Sequence, residues 1–123
     1  MIVAIGLDLV DTCRMEELRD RFDQRLVSRL LGSDEIVLYE KRPDSVAFLA
    51  GRFAAKEAVI KSLAGIRKRR PSYPTIQILP DKTGRPTVHL SESLQDELVG
   101  YHWMISITHD RATAAAVAIL LRE

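Results

Sequence analysis

Residues 53–63 read FAAKEAVIKSL, and the reading of this stretch decides how the rest of the chain must be arranged. Alanine, leucine, lysine and glutamate are good helix formers, and Pro43-Asp44-Ser45 supplies a start. The spacing therefore predicts a long helix from there to near Gly65. At roughly 100° per residue, Ala50, Ala54, Glu57 and Lys61 form one narrow stripe. Leu49, Phe53, Ile60 and Leu63 form a bulky stripe beside it, with Ala58 and Ser62 on the far side. A helix apolar almost all round belongs in a core, yet this one carries an acid and a base on one face. Two readings stand. One is an ordinary Glu-to-Lys pair one turn apart, worth about 0.2–0.5 kcal/mol. The other is a site built on a rigid element, with the alanines leaving room for something other than a protein side chain.

Outward from the helix, the pattern changes period. MIVAIGLDLV at residues 1–10 alternates Val3, Ile5, Leu7 and Leu9 against Ala4, Gly6 and Asp8, which predicts a strand with a greasy odd face. Asp8 shares the other face with small residues, where space beside its carboxylate is expected. Residues 14–31 read as helical with a break near Phe22-Asp23, and a short helix follows Ser33, with Asp34 and Glu35 favoured in its first turn. GIRKRRPSYP at 65–74 is a loop by composition. Strands are expected at 75–79, 86–90, 103–108 and 113–120. PDKTGRP forms a hairpin between the first two, and a helix runs from Ser91 to about Val99, stopped by Gly100. Late strands after early helices make this an α+β fold, an antiparallel sheet packed with a long central helix.

With 123 residues, the chain suits one domain, 1–123. A net charge of +1 argues against a dedicated nucleic-acid binder. Cys13 is the only cysteine, so a disulfide or a cysteine-based zinc site within one chain is excluded, and a reducing, cytoplasmic setting fits. The N-terminal apolar run lacks a basic region and carries an acid, so it reads as a strand rather than a signal peptide. No apolar run approaches the ~20 residues of a membrane span.

A strand carboxylate, Asp8, and a helix carboxylate, Glu57, meeting across a gap would make a hard-cation site. Mg²⁺ uses one or two carboxylates and fills its remaining positions with water and phosphate oxygens. Four segments then occur in order: GLDLVDTCR (6–14), GRFAAKEAVIKSL (51–63), GRP (84–86) and SITHDRATAAAVAIL (106–120). Together they make the whole chain resemble the holo-[acyl-carrier-protein] synthases, the small 4′-phosphopantetheinyl transferases.

The resemblance implies transfer of the 4′-phosphopantetheine arm of coenzyme A to a serine of apo acyl carrier protein, releasing adenosine 3′,5′-bisphosphate, in support of fatty acid biosynthesis. It implies Mg²⁺ on Asp8 and Glu57. Glu57 is then the expected general base, directly or through a metal-bound water, with Asp8 the other candidate. Lys61 would stabilise or protonate the departing phosphate. His109 is either structural or in contact with a phosphate or the pantetheine arm. Lys41, Arg42, Gly65, Gly84, Arg85 and Pro86 are candidates for the remaining coenzyme contacts. His89 and His102 read as ordinary strand residues. Relatives commonly carry a glycine-rich loop where this chain has Arg67-Lys68-Arg69-Arg70, a run that is either solvated or an extra grip on coenzyme or carrier.

Arg14, Arg21, Arg25 and Arg29 fall within roughly 80° of one another if residues 14–29 are one helix, a basic ridge suited to an acidic carrier protein. Arg14 also matches the family spacing from Asp8. The resemblance implies a homotrimer with active sites between subunits; TAAAVAIL could pack on symmetry mates or be a central core strand. Two other classes remain open on the residues alone: a Mg²⁺-dependent phosphohydrolase splitting a pyrophosphate with water, and a non-catalytic carrier-protein adaptor. The arginine ridge favours a protein acceptor over water, and an adaptor has no need of Asp8, Glu57 and Lys61 together.

Overall fold

A computed structural model describes residues 1–123. In chain order the elements are β1 (Ile2–Asp11), α1 (Thr12–Phe22), α2 (Gln24–Leu30), α3 (Ser33–Glu40), α4 (Ser45–Leu63), a 3₁₀ turn (Tyr73–Thr75), β2 (Ile76–Pro80), β3 (Pro86–Leu90), α5 (Glu92–Glu97), β4 (Tyr101–His109) and β5 (Thr113–Arg122). One antiparallel sheet has the order β1-β5-β4, and β2 and β3 form a separate antiparallel pair. The expected α+β architecture with a long central helix is the one observed.

Helix α4 lies across the inner face of the three-stranded sheet. Leu49, Ala50, Ala54, Ala55, Ala58 and Val59 are fully buried there, as are Ala114, Ala118 and Leu120 of β5. The approach to β1 is close enough to need glycine: a Cβ on Gly6 would stand 1.9 Å from the Ala58 carbonyl oxygen. Further along, the Trp103 indole N–H donates to Ser62 Oγ at 2.9 Å, tying β4 to the same helix. Small residues on both surfaces thus let backbone meet backbone. The expected open space is not left at the alanines: Ala50 and Ala54 are fully buried, and Gly6 packs on Ala58 and Ser62.

The greasy face of β1 points the other way. Ile5, Leu7 and Leu9 are 66%, 62% and 69% exposed, and Met104 on β4 is 57% exposed. Register joins them: Ile5 pairs with Ile119 and Ile119 with Met104, while Leu7 pairs with Val117. A contiguous apolar sheet face is therefore left uncovered in the single chain. Strand β5 is central in its sheet, with Ala114, Ala116, Ala118 and Leu120 facing the core and its alternate residues lining the open face.

Other boundaries move for local reasons. The first helix starts at Thr12, because the Asp11 carboxylate accepts the Arg14 amide and caps it. It breaks where expected, at Asp23, whose φ of 44° is unusual outside glycine. The 80° arc of arginines assumed one continuous helix, and the break removes that premise: Arg14 and Arg21 lie on α1, Arg25 and Arg29 on α2. Helix α5 ends at Glu97, two residues early, and β4 begins at Tyr101, directly after Gly100 at φ 88°.

Candidate active site

Asp8 sits on the inner face of β1 and reaches α4. Its Oδ1 accepts from the Lys61 ammonium at 3.0 Å, and the same ammonium donates to the Leu7 carbonyl at 2.9 Å. Glu57, one helical turn before Lys61, does not pair with it. Its Oε1 instead accepts from the Arg70 guanidinium and the Tyr73 hydroxyl, and Arg70 also donates to Tyr73 Oη at 2.8 Å. The helix pair suggested by spacing is thus absent. Each member has found a partner from another element, which places two carboxylates and two cations around one turn of α4. The carboxylates are mostly covered (16% and 13% exposed), while Lys61 and Arg70 remain about half open, at 53% and 55%.

Tyr73 and Arg70 were not among the expected site residues. Arg70 belongs to the basic run, which is not uniformly solvated: Arg67 also folds back, donating to Glu97 at 2.5 Å. Burial and the hydrogen bond to Glu57 raise the Tyr73 phenol above its ordinary value, keeping it a donor. The only sequence signal for this contact is a loop short enough to return to the helix it leaves.

The turn rests on a dry ion pair. Lys56 and Glu35 are both fully buried, with Nζ and Oε1 2.5 Å apart. The ammonium also donates to the Leu30 carbonyl at 2.6 Å and the Tyr73 carbonyl at 2.9 Å. Glu35 accepts from the amides of Gly32 and Ile78 at 2.9 and 2.8 Å. Burial pushes the Lys56 amine below its ordinary value, and the Glu35 carboxylate works against that.

A second cluster lies at the other end of α4. Arg42, Asp44, Phe48, Gly51 and Arg52 share one open cavity with Gly84 and Pro86 of the hairpin and His109 at the end of β4. Four of the expected coenzyme residues, distant in sequence, are thus brought together. Arg42 makes a two-pronged bond to Asp44, at 2.9 and 3.1 Å, which holds that carboxyl below its usual range. Arg52 donates to the Ile78 carbonyl at 3.0 Å and lies over the Phe48 ring. The other three candidates fall elsewhere. Lys41 caps the end of α3, Arg85 lines a neighbouring cavity with Thr87 and Trp103, and Gly65 lies beyond the opposite end of α4. Along α4 the second cluster runs from Asp44, ~20 Å before Glu57, to Arg52, ~8 Å before it.

On α1 and α2, Leu18, Phe22, Leu26, Arg25 and Arg29 line a shallow groove, and the Arg21 and Arg25 guanidinium carbons each stand 5.3 Å from the Phe22 ring centre. Arg14 is exposed near the start of α1.

Comparison with known proteins points to one family. Residues 4–119 match the family described as the 4′-phosphopantetheinyl transferase superfamily. The holo-[acyl-carrier-protein] synthase of Chlorobium luteolum is 39% identical over 117 residues, covering 94% of this chain and 97% of that protein. The enzyme of that name from Shewanella frigidimarina is 37% identical, covering 97% of each chain. Among solved structures, the Neisseria meningitidis holo-[acyl-carrier-protein] synthase superposes with a TM-score of 0.89 at 28% identity, over 99% of this chain and 100% of that one. The Helicobacter pylori enzyme in complex with coenzyme A reaches 0.81 at 35% identity, covering 95% and 99%. With the ordered motifs, the fold and the full-length likeness all in agreement, the chain belongs to the holo-[acyl-carrier-protein] synthase family of the 4′-phosphopantetheinyl transferase superfamily.

Proposed function

We propose that this chain transfers 4′-phosphopantetheine from coenzyme A to a serine hydroxyl of an apo acyl carrier protein, with Asp8, Glu57 and Lys61 at the reacting phosphate. The observation that carries the reading is the meeting of Asp8 and Lys61 at 3.0 Å, one turn from Glu57. The serine oxygen forms a bond to phosphorus as the pyrophosphate linkage breaks, releasing adenosine 3′,5′-bisphosphate. Glu57 takes the serine proton, directly or through water, and Lys61 faces the leaving phosphate. Two mostly covered carboxylates beside one helical turn fit Mg²⁺, which needs no further protein ligand when substrate oxygens complete its shell. When bound there, Mg²⁺ would neutralise pyrophosphate charge and orient it for in-line attack.

The cavity of Arg42, Gly84, Pro86 and His109 is the proposed grip on the rest of the coenzyme. Solved relatives support that substrate: the Bacillus anthracis structure is described as a complex with CoA (3′,5′-ADP), at a TM-score of 0.81 and 32% identity over 100% of this chain. The groove between α1 and α2, lined by Arg25 and Arg29 with Arg21 against the Phe22 ring and Arg14 exposed earlier on α1, is the proposed carrier-protein dock. Its mix of arginine and apolar side chains suits an acidic helix with a greasy edge. A role in fatty acid biosynthesis within the cytoplasm follows as the expected setting.

The protein is further proposed to work as a homotrimer. The uncovered apolar face of β1, β5 and β4 is what a subunit contact would bury. A composite site, with the coenzyme grip of one copy facing the carboxylates of the next, would follow from that contact. Leu7→Glu on that face is expected to lower the mass measured by light scattering to that of the monomer, and transfer with it. An unchanged oligomer would remove this face from the interface.

The deciding experiment mixes the protein with coenzyme A, apo acyl carrier protein and magnesium and weighs the carrier. The expected result is the gain of one phosphopantetheine arm, abolished by a chelator. Release of adenosine 3′,5′-bisphosphate without any gain on the carrier would overturn transfer in favour of hydrolysis.

A further inference from the structure

We propose that Lys56 is a positioning residue for Glu57, acting through Tyr73; the inference rests on the reading of Glu57 given above. Lys56 and Glu57 are neighbours on α4 and so point about 100° apart around the helix. Both hold Tyr73, from opposite ends. The Lys56 ammonium binds the Tyr73 main-chain carbonyl at 2.9 Å, while the Tyr73 hydroxyl donates to Glu57 Oε1. The ring between those two anchors is steadied by Phe53, edge on at 5.3 Å. Glu57 is a long side chain, and the loop residues Tyr73 and Arg70 together give its carboxylate one orientation.

The chemistry of the hub fits positioning better than bulk stabilisation. All three ammonium protons are spent, on Leu30 O, Glu35 Oε1 and Tyr73 O, and no solvent reaches the group. Burying two charges is costly, and an apolar pair of the same shape is often as stable. An apolar pair, however, offers nothing to the Tyr73 carbonyl. The ion pair therefore secures one particular geometry: the end of α2, the start of α3, β2 and the segment leading into it are all locked to the residue next to Glu57. Lys56 touches no reacting atom, so its effect on catalysis passes through Tyr73.

Lys56→Met alone leaves Glu35 charged and unpaired, so its loss of activity would be ambiguous. Lys56→Met with Glu35→Gln removes both charges at nearly constant shape, and the new amide oxygen still accepts a main-chain N–H. The expected double variant still melts cooperatively, at a temperature lowered by the main-chain groups it leaves unpaired, exchanges the amides of Ser72, Tyr73 and Thr75 faster, and loses roughly tenfold in kcat with KM for coenzyme A little changed. In a Glu57→Gln background, followed by carrier mass over hours, the same pair of changes should cost almost nothing further. Tyr73→Phe keeps the ring and the carbonyl, and serves if the double variant does not fold; it should lower kcat about threefold, again only when Glu57 is present.

Wild-type kcat in the folded double variant, wild-type kcat in Tyr73→Phe, or an equal loss with and without Glu57 would each overturn the proposal. Wild-type kcat in Glu57→Gln alone would overturn the reading of Glu57, and the proposal with it. A large loss in Glu57→Gln beside a fully active Lys56 and Glu35 double variant would overturn the positioning role only.

Discussion

Two sets of ion pairs sit within six residues of one helix and are built on opposite terms. Lys56 and Glu35 are dry, with every donor and acceptor matched by protein. Asp8 with Lys61 and Glu57 with Arg70 combine covered carboxylates with half-open cations. The first set cannot exchange partners without unfolding its surroundings. In the second set the cations can swing into water, which would free the carboxylates for the metal ion and the cations for the phosphate of the proposed reaction. The difference teaches that burial, rather than residue type, separates the framework from the working groups: lysine and glutamate serve in both.

The largest effect that tests this contrast is on activity. Glu57→Gln should reduce kcat by about 10²–10⁴, the usual worth of a positioned acid or base, while shifting the melting temperature little. A comparable fall in stability would mean that the open set is framework after all. Next in size, Lys56→Met should destabilise the fold by about 3–5 kcal/mol, because it strands the Glu35 carboxylate in the core. Urea unfolding measures it, and a change below about 1 kcal/mol would deny that the pair is dry. The smallest effect belongs to Arg70→Ala. An exposed pair is worth up to about 1 kcal/mol, so freeing Glu57 from it should lower the magnesium needed for half-maximal transfer by roughly two- to fivefold. An unchanged or raised requirement would show that Arg70 does not compete with the metal.

Much of the site was legible as a list and not as an arrangement. Asp8, Glu57 and Lys61 stood out because acids and bases are rare on apolar strands and helices, and Asp8 does meet Lys61. The spacing of Glu57 and Lys61 suggested a mutual bond, yet each is drawn away by a stronger partner from outside the helix. Tyr73 and Arg70 carried no periodic signal, since a loop declares composition but not direction. The hairpin residues Gly84 and Pro86 join Arg42 and His109 in one cavity, whereas Gly65, placed with them by resemblance, lies at the far end of the helix.

The sequence by itself determined the element types, the break at Asp23, the long helix and the acids and bases worth watching. These rest on periodicity and local backbone preference, which neighbours along the chain decide. Tertiary structure alone decided which face of β1 is inside. Alternation shows that Val3, Ile5, Leu7 and Leu9 share a side, and hydrophobicity argues for burying it. Gly6 reverses the choice, because only the small side admits the α4 backbone so closely, and the greasy side is left for another surface. Partner choice among charged groups was decided in the same way, since an ion pair forms with whatever the fold brings within about 3 Å, however far away it lies in the chain.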